Sequence, residues 1–127
     1  MSWIDLVSYF LGGIFAANAV PHYAAGVMGR PFQTPFAKPP GKGLSSSRVN
    51  VVWGFCNAVV AYLLVVRVGA FDPRTVSHVI AFGLGVLLIS LFSAHHFGQF
   101  HGGGKPRPRC VRCSPVKIAH NAAGRGP

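Results

Sequence analysis

The chain has 127 residues, of which 50% are hydrophobic and only 11% are charged, and its mean hydropathy is +0.42. Soluble domains average about 25% charged residues, so a water-soluble fold of this size would expose large apolar areas to water. The length allows one domain at most. The composition therefore predicts an all-α integral membrane protein, with the bilayer as solvent for its apolar residues.

The net charge of +10 is distributed in a way that argues against a nucleic-acid partner. Most cations fall into two blocks, at residues 30–48 and 105–125, and each block flanks an apolar run. Basic blocks beside apolar runs are typical of membrane proteins, whose cytoplasmic loops are rich in Lys and Arg. We expect the lipid bilayer, with its anionic headgroups, to supply the counter-charge.

Three apolar runs are long enough to span a bilayer, at about residues 6–28, 49–68 and 76–97. A helix of this length reaches about 30–34 Å, which matches the hydrocarbon core of about 30 Å. Pro21 is expected to kink or end the first helix, because it lacks a backbone donor. Each span also carries small residues four positions apart, which let helix backbones approach closely: Gly13 and Ala17, Gly54 and Ala58, Ala81 and Gly85.

The segments outside the spans differ in composition. A Pro/Gly-rich basic connector at residues 29–47 is predicted to extend along the headgroups, with Phe32 and Phe36 dipping toward the acyl chains. Serines 45–47 are expected to cap the second span, and Asp72-Pro73 is a start signal for the third. We predict a three-helix domain over residues 1–101 and a basic, disordered tail over residues 102–127.

The charges predict an orientation in the membrane. The connector together with the adjoining Arg48 has four cations and no acid, the tail has six cations and no acid, and the N-terminus has no cation. With three spans, the connector and the tail lie on the same side, so both can be cytoplasmic. We predict an outside N-terminus and a cytoplasmic C-terminus, in the bacterial cytoplasmic (inner) membrane.

The orientation places the polar residues of all three spans at similar depth. Placing a polar side chain inside the bilayer costs free energy, so such side chains usually face the helix bundle and pair with one another. We therefore predict one polar cluster beside the connector, with seven members: Asn18, His22, Asn50, Asn57, His95, His96 and Gln99.

The cluster admits several interpretations. It can be structural, with interhelical hydrogen bonds worth about 0.6 kcal/mol each. His22 with His95 or His96 can bind haem iron or a metal, since neutral imidazole suits both. A quinone, lipid or proton-path role is a third interpretation.

No enzyme motif was found: the chain lacks a Ser/His/Asp arrangement, paired carboxylates and a dinucleotide motif, which favours a non-enzymatic protein. Cys110 and Cys113 form a single C-x-x-C, which needs two further ligands, such as His101 and His120, for a zinc site. The leading hypothesis is an oligomerising or accessory subunit of a membrane complex. The alternatives are a haem- or metal-binding protein and a transport or ligand-binding oligomer.

Overall fold

The computed structural model describes residues 2–103, which form three long helices and one pair of very short strands. In chain order the elements are α1 (Trp3–Val27), β1 (Phe32–Gln33), β2 (Leu44–Ser45), α2 (Ser47–Tyr62), a π-helical segment that continues α2 (Leu63–Val68), and α3 (Val76–His101). Three helices are long and apolar enough to cross a membrane, which confirms the three-span prediction. The predicted tail lies outside the described residues from position 104 onward, as do Cys110, Cys113 and His120.

The N-terminal end of α1 is fixed by a reciprocal cap. The Ser2 hydroxyl accepts from the Ile4 N–H at 3.2 Å, and the Asp5 carboxylate accepts from the Ser2 N–H at 3.0 Å. Two backbone donors are thereby satisfied, so α1 begins at Trp3, before the predicted start. Pro21 lies inside α1, which continues to Val27, so the alternative in which Pro21 ends the helix is wrong.

Both ends of α3 have a local cause. The Asp72 carboxylate accepts from the Arg74 N–H at 2.9 Å and from the Thr75 hydroxyl at 3.0 Å, and these bonds lower the pKa of Asp72. They shape the turn from which α3 starts. At the other end α3 continues to His101, past the predicted end at residue 97, and closes at Gly102 with φ +74°.

Helix α1 is central, packing along both α2 and α3. Its approach to α3 is so close that a Cβ on Gly13 would meet the backbone of Phe82, and a Cβ on Gly85 would meet the carbonyl of Phe10. Gly54 makes the equivalent contact between α2 and the backbone of Tyr23 on α1. The small residues of the three spans thus set the helix separations, as the sequence pattern indicates.

A side-chain amide pair joins α1 to α2. The Asn57 Nδ2 group donates to the Trp53 carbonyl at 2.7 Å, which turns the Asn57 Oδ1 atom toward α1. The Asn18 Nδ2 group donates to that oxygen at 3.0 Å. Asn57 is only 2% exposed, so this bond fixes the register of the two antiparallel helices.

The connector is folded rather than extended. β1 and β2 pair antiparallel, with Phe32 opposite Ser45, and the Thr34 and Ser45 hydroxyls are hydrogen-bonded to each other. The Phe32 ring packs against Phe97 of α3, with ring centroids 4.8 Å apart. Phe36 packs edge-on against Trp53 of α2, also at 4.8 Å. Phe32 therefore packs on the end of α3, which differs from the expectation that it dips toward the acyl chains, whereas Phe36 contacts α2 and still leaves 64% of its surface exposed.

We predict that Gly85→Ala lowers the free energy of unfolding by about 1–3 kcal/mol, because its Cβ has no room against the Phe10 backbone. Gly83→Ala is the matched control, since a Cβ on Gly83 meets nothing within 4 Å. Thermal unfolding of both variants in the same detergent measures the difference. Equal stability of the two variants would contradict the close packing of α1 on α3.

Candidate functional site

A buried pair of side chains, His22 on α1 and Asn50 on α2, lies where the helices meet the connector. His22 is 3% exposed and Asn50 is 0% exposed. The His22 Nδ1 atom and the Asn50 Oδ1 atom are 3.0 Å apart. Together with Asn18 and Asn57, the pair brings four of the seven predicted cluster residues into one hydrogen-bonded interface.

The Asn50 amide also holds both ends of the connector. Its Nδ2 group lies 3.2 Å from the Phe32 carbonyl, 3.1 Å from that of Ser45 and 3.0 Å from that of Ser46. Carbonyl oxygens only accept, so the Asn50 nitrogen must face them and the Asn50 oxygen must face His22.

This orientation fixes the tautomer of His22. Because the Asn50 Oδ1 atom can only accept, the neutral imidazole must carry its hydrogen on Nδ1. The Nε2 atom then holds a lone pair, and it makes no hydrogen bond within residues 2–103. A histidine oriented in this way presents one acceptor or metal-ligating nitrogen.

His22 forms part of the wall of a cavity of about 430 Å³ beneath the connector. Small-molecule sites in proteins have volumes of about 300–1,000 Å³, so the cavity is large enough for a compact organic ligand. None of its lining residues is acidic or basic, apart from two histidines. The lining comes from α1, the connector, α2 and α3: Asn18, His22, Gln33, Thr34, Pro35, Pro40, Gly41, Trp53, Phe92, His96 and Phe97.

Of the two adjacent histidines on α3, only His96 lines this cavity. Its Nε2 atom lies 3.0 Å from the Gly41 carbonyl, to which it must donate, and its ring stacks on Phe92 with centroids 5.8 Å apart. His95 and Gln99 are exposed and make no side-chain hydrogen bond within residues 2–103. The reason is helical geometry, since neighbouring residues point about 100° apart. The structure therefore does not join His95 and Gln99 to the other five cluster residues.

Trp53 is the site residue that the sequence pattern missed. Its indole Nε1 atom is buried without a hydrogen-bond acceptor in the described part of the chain. A buried polar group without a partner is uncommon, and it often marks a place where a water or ligand binds. The sequence spacing could have identified Trp53, because it lies three residues after Asn50 and four before Asn57 and so shares their helix face.

The connector contributes a second set of residues that the sequence did not identify. Gln33 and Thr34 are 3% and 1% exposed, and both line the cavity. The Gln33 Oε1 atom accepts from the His101 Nε2 atom at 3.3 Å, at the end of α3. The connector thus closes the cavity by bonds to α2 through Asn50 and to α3 through His96 and His101.

The cavity wall combines polar side chains with aromatic rings. Within residues 2–103 no three His, Cys, Asp or Glu side chains come together to hold a metal ion. Two lining residues have acceptor atoms that make no hydrogen bond within residues 2–103, His22 Nε2 and Asn18 Oδ1, and aromatic rings belong to the same wall. Haem bound by His22 and His96 would require His96 to give up its bond to Gly41 or to use its Nδ1 atom.

We predict that Asn50→Leu loosens the connector and destabilises the fold by about 1–3 kcal/mol, because buried carbonyls and the His22 N–H lose their partner. Trypsin cleavage after Lys42, which is followed by Gly43, should become faster. Asn57→Leu is the control, since it removes an α1–α2 bond but no connector bond. Equal protease sensitivity of the two variants would contradict the role of Asn50 as the connector anchor.

In comparisons of the chain with protein-family models, curated proteins and solved structures, none matches. The functional conclusion therefore rests on the geometry of the site.

Proposed function

We propose that this protein is a small integral membrane protein that binds a neutral amphiphilic molecule in the cavity beneath its connector. The observation that carries the proposal is His22: it is buried, its tautomer is fixed by Asn50, and its unpaired Nε2 atom belongs to a residue of the cavity wall. Trp53 Nε1 is the side-chain nitrogen or oxygen that is fully buried without a partner within residues 2–103, so His22 Nε2 keeps some accessible surface. The atom can therefore be reached by a ligand hydrogen, which is its natural complement.

The donors and acceptors of the wall suggest the chemistry of the ligand. His22 Nε2 and Asn18 Oδ1 both accept, so the ligand presents a hydrogen-bond donor such as a hydroxyl group. The absence of acidic, Lys and Arg residues from the described lining favours a neutral ligand. Rings of Trp53, Phe92 and Phe97 in the same wall favour an aromatic or alicyclic body. A hydroxylated ring compound, such as a quinol, has all three properties.

Haem or metal binding by His22 with His96 is the second candidate for the same cavity, supported by the free Nε2 atom. It is less favoured because His96 is already bonded to Gly41. Haem or metal binding by His22 with His95 has no support, since His95 is exposed and lies outside the cavity wall.

The orientation is proposed from charge. The connector and the end of α3 lie at one end of the bundle, and the connector with the first turn of α2 carries four cations without an acid: Arg30, Lys38, Lys42 and Arg48. Under the positive-inside rule this end, with the cavity, faces the cytoplasm and the N-terminus faces outside. A bacterial cytoplasmic membrane is the setting we propose.

Assembly with further subunits or with itself is proposed from the outer face of α3. Leu84, Leu88 and Leu91 are 53%, 55% and 62% exposed, and they continue in one stripe toward exposed His95 and Gln99. Polar residues at the end of an apolar stripe can hydrogen-bond across a helix pair, which supports a role as an oligomerising or accessory subunit.

We predict that 1-naphthol binds the purified protein about tenfold more tightly than naphthalene, because its hydroxyl group supplies a hydrogen bond worth about 1–1.5 kcal/mol. His22→Phe should remove this preference. His95→Phe is the matched control and should retain it, since His95 lies outside the cavity wall. Isothermal titration calorimetry in one detergent measures all three proteins.

Two results would contradict the proposal of a hydroxyl-binding site. One is equal affinity for both compounds in the unmodified protein. The other is a Soret absorption band in the purified protein that disappears in His22→Phe, which would favour the haem candidate.

Single-cysteine variants, with Cys56, Cys110 and Cys113 replaced by serine, test orientation and assembly together. In intact cells a membrane-impermeant maleimide should label Ser2→Cys but not Gln99→Cys.

After mild oxidation, Gln99→Cys should form disulfide-linked dimers, whereas Phe55→Cys on the outer face of α2 should not. Labelling of Gln99→Cys from outside would overturn the orientation, and a monomeric Gln99→Cys would overturn self-assembly along α3.

A further inference from the structure

A second cavity, of about 480 Å³, lies beside Trp53 on the outer face of α2. Its wall is almost wholly apolar and contains one charged residue, Arg48. The other lining residues are Phe36 from the connector and four residues of α2: Val49, Val52, Trp53 and Cys56.

Arg48 has no partner that would explain its position. It is exposed, and within residues 2–103 its side chain makes no hydrogen bond or ion pair. It lies in the first turn of α2, where no acidic residue is present. Cations are disfavoured at a helix N-terminus and anions are favoured there, so Arg48 is not placed for the stability of α2. An external anion would complement its charge.

The rest of the wall matches a hydrocarbon chain. Val49, Val52 and Cys56 are exposed and recur at three- and four-residue spacing, so they form one stripe running from Arg48 along α2. Phe36, which is 64% exposed, packs edge-on against Trp53 and flanks this stripe from the connector side. The stripe runs into the membrane from the end of α2 that meets the connector, where headgroups lie.

We infer that this cavity is a binding site for an anionic phospholipid. Arg48 binds the phosphate, and one acyl chain lies along Val49, Val52 and Cys56 beside Phe36. A soluble phosphate compound would leave the apolar stripe without a partner, and a neutral lipid would leave Arg48 without one. A guanidinium group is the side chain best suited to a phosphate, because it can donate two parallel hydrogen bonds.

This inference does not depend on the ligand proposed for the first cavity. The two cavities share only Trp53 among their lining residues. Their tests use different substitutions, His22 in one case and Arg48 in the other, so each can fail alone.

Trp53 provides the measurement, because bromine atoms on an acyl chain quench tryptophan fluorescence on contact. The chain has two tryptophans, so Trp3→Phe leaves Trp53 as the only fluorophore. This protein is reconstituted in vesicles of phosphatidylcholine and phosphatidylglycerol at one fixed ratio, with bromine on the acyl chains of one lipid at a time. We expect brominated phosphatidylglycerol to occupy the site about fivefold more strongly than brominated phosphatidylcholine, as one cation at a membrane surface predicts.

Arg48→Gln should remove the preference for phosphatidylglycerol, and Arg48→Lys should keep part of it. Arg30→Gln is the matched control: it removes a connector cation that does not line the cavity, and the preference should remain. Phe36→Ala should weaken quenching by both lipids, without a change in charge. Circular dichroism of each variant establishes that the helices are intact.

Three results would overturn the inference. The first is equal quenching of Trp53 by the two brominated lipids in the unmodified site. The second is a loss of preference in Arg30→Gln as large as that in Arg48→Gln, which would indicate general surface charge. The third is a preference that 50 mM inorganic phosphate abolishes but chloride at the same ionic strength does not, which would indicate a simple anion site.

Discussion

The side-chain amide of Asn50 is the interaction on which the connector end of this molecule depends. Its nitrogen contacts three backbone carbonyls from the start and the end of the connector, and its oxygen accepts from His22 on α1. One fully buried side chain therefore joins two helices and a loop of more than a dozen residues. Because Asn50 is fully buried, movement of the connector away from the helix ends would leave its amide and the backbone carbonyls without their partners.

Asn50 and Asn57 of α2 orient their side-chain amides in the same way. This shared orientation determines which side-chain atoms of α1 remain without a hydrogen bond. Asn57 and Asn50 each direct the amide nitrogen to a carbonyl and the oxygen to α1. The oxygen of Asn57 therefore meets the Asn18 nitrogen, and that of Asn50 meets the His22 N–H. Asn18 and His22 of α1 therefore each donate a hydrogen bond to α2. Each keeps one acceptor atom without a bond, Oδ1 of Asn18 and Nε2 of His22. Backbone carbonyls of α2 and the connector bind the amide nitrogens of Asn50 and Asn57, so the amide oxygens face α1. For this reason the α1 residues of the cavity wall use their donors and keep acceptors.

Much of the fold follows from the sequence, because helix length, small-residue spacing and caps are local properties. The spans and the Ser46 cap of α2 were indicated by residue type and position. The spacing of Asn18 with His22, and of Asn50 with Asn57, indicated which faces of α1 and α2 are polar. What spacing alone did not determine was which of His95 and His96 faces the bundle, because that depends on the rotation of α3 set by Gly13 and Gly85.

The connector shows why a composition argument fails for a segment held by tertiary bonds. Its prolines and glycines exclude a regular helix, but they do not require an extended chain. The fold of residues 32–45 depends on partners distant in sequence: Asn50, His96 and the ring of Phe97. Gln33 and Thr34 became buried site residues for the same reason, and nothing in their local sequence distinguishes them from exposed loop residues.

The walls of the cavity are held by directional bonds as well as by the close packing of the helices. The connector is held to α2 through Asn50 and to α3 through His96 and His101, while α1 is held to α2 by the amide pair. Interhelical hydrogen bonds of this kind contribute only about 0.6 kcal/mol each, so an apolar interface would hold the helices together equally well. The Trp53 indole N–H is buried without an acceptor in the described part of the chain, and His22 Nε2 makes no hydrogen bond there. Both residues line the cavity, so the ligand that we propose would complement one donor and one acceptor of the same wall.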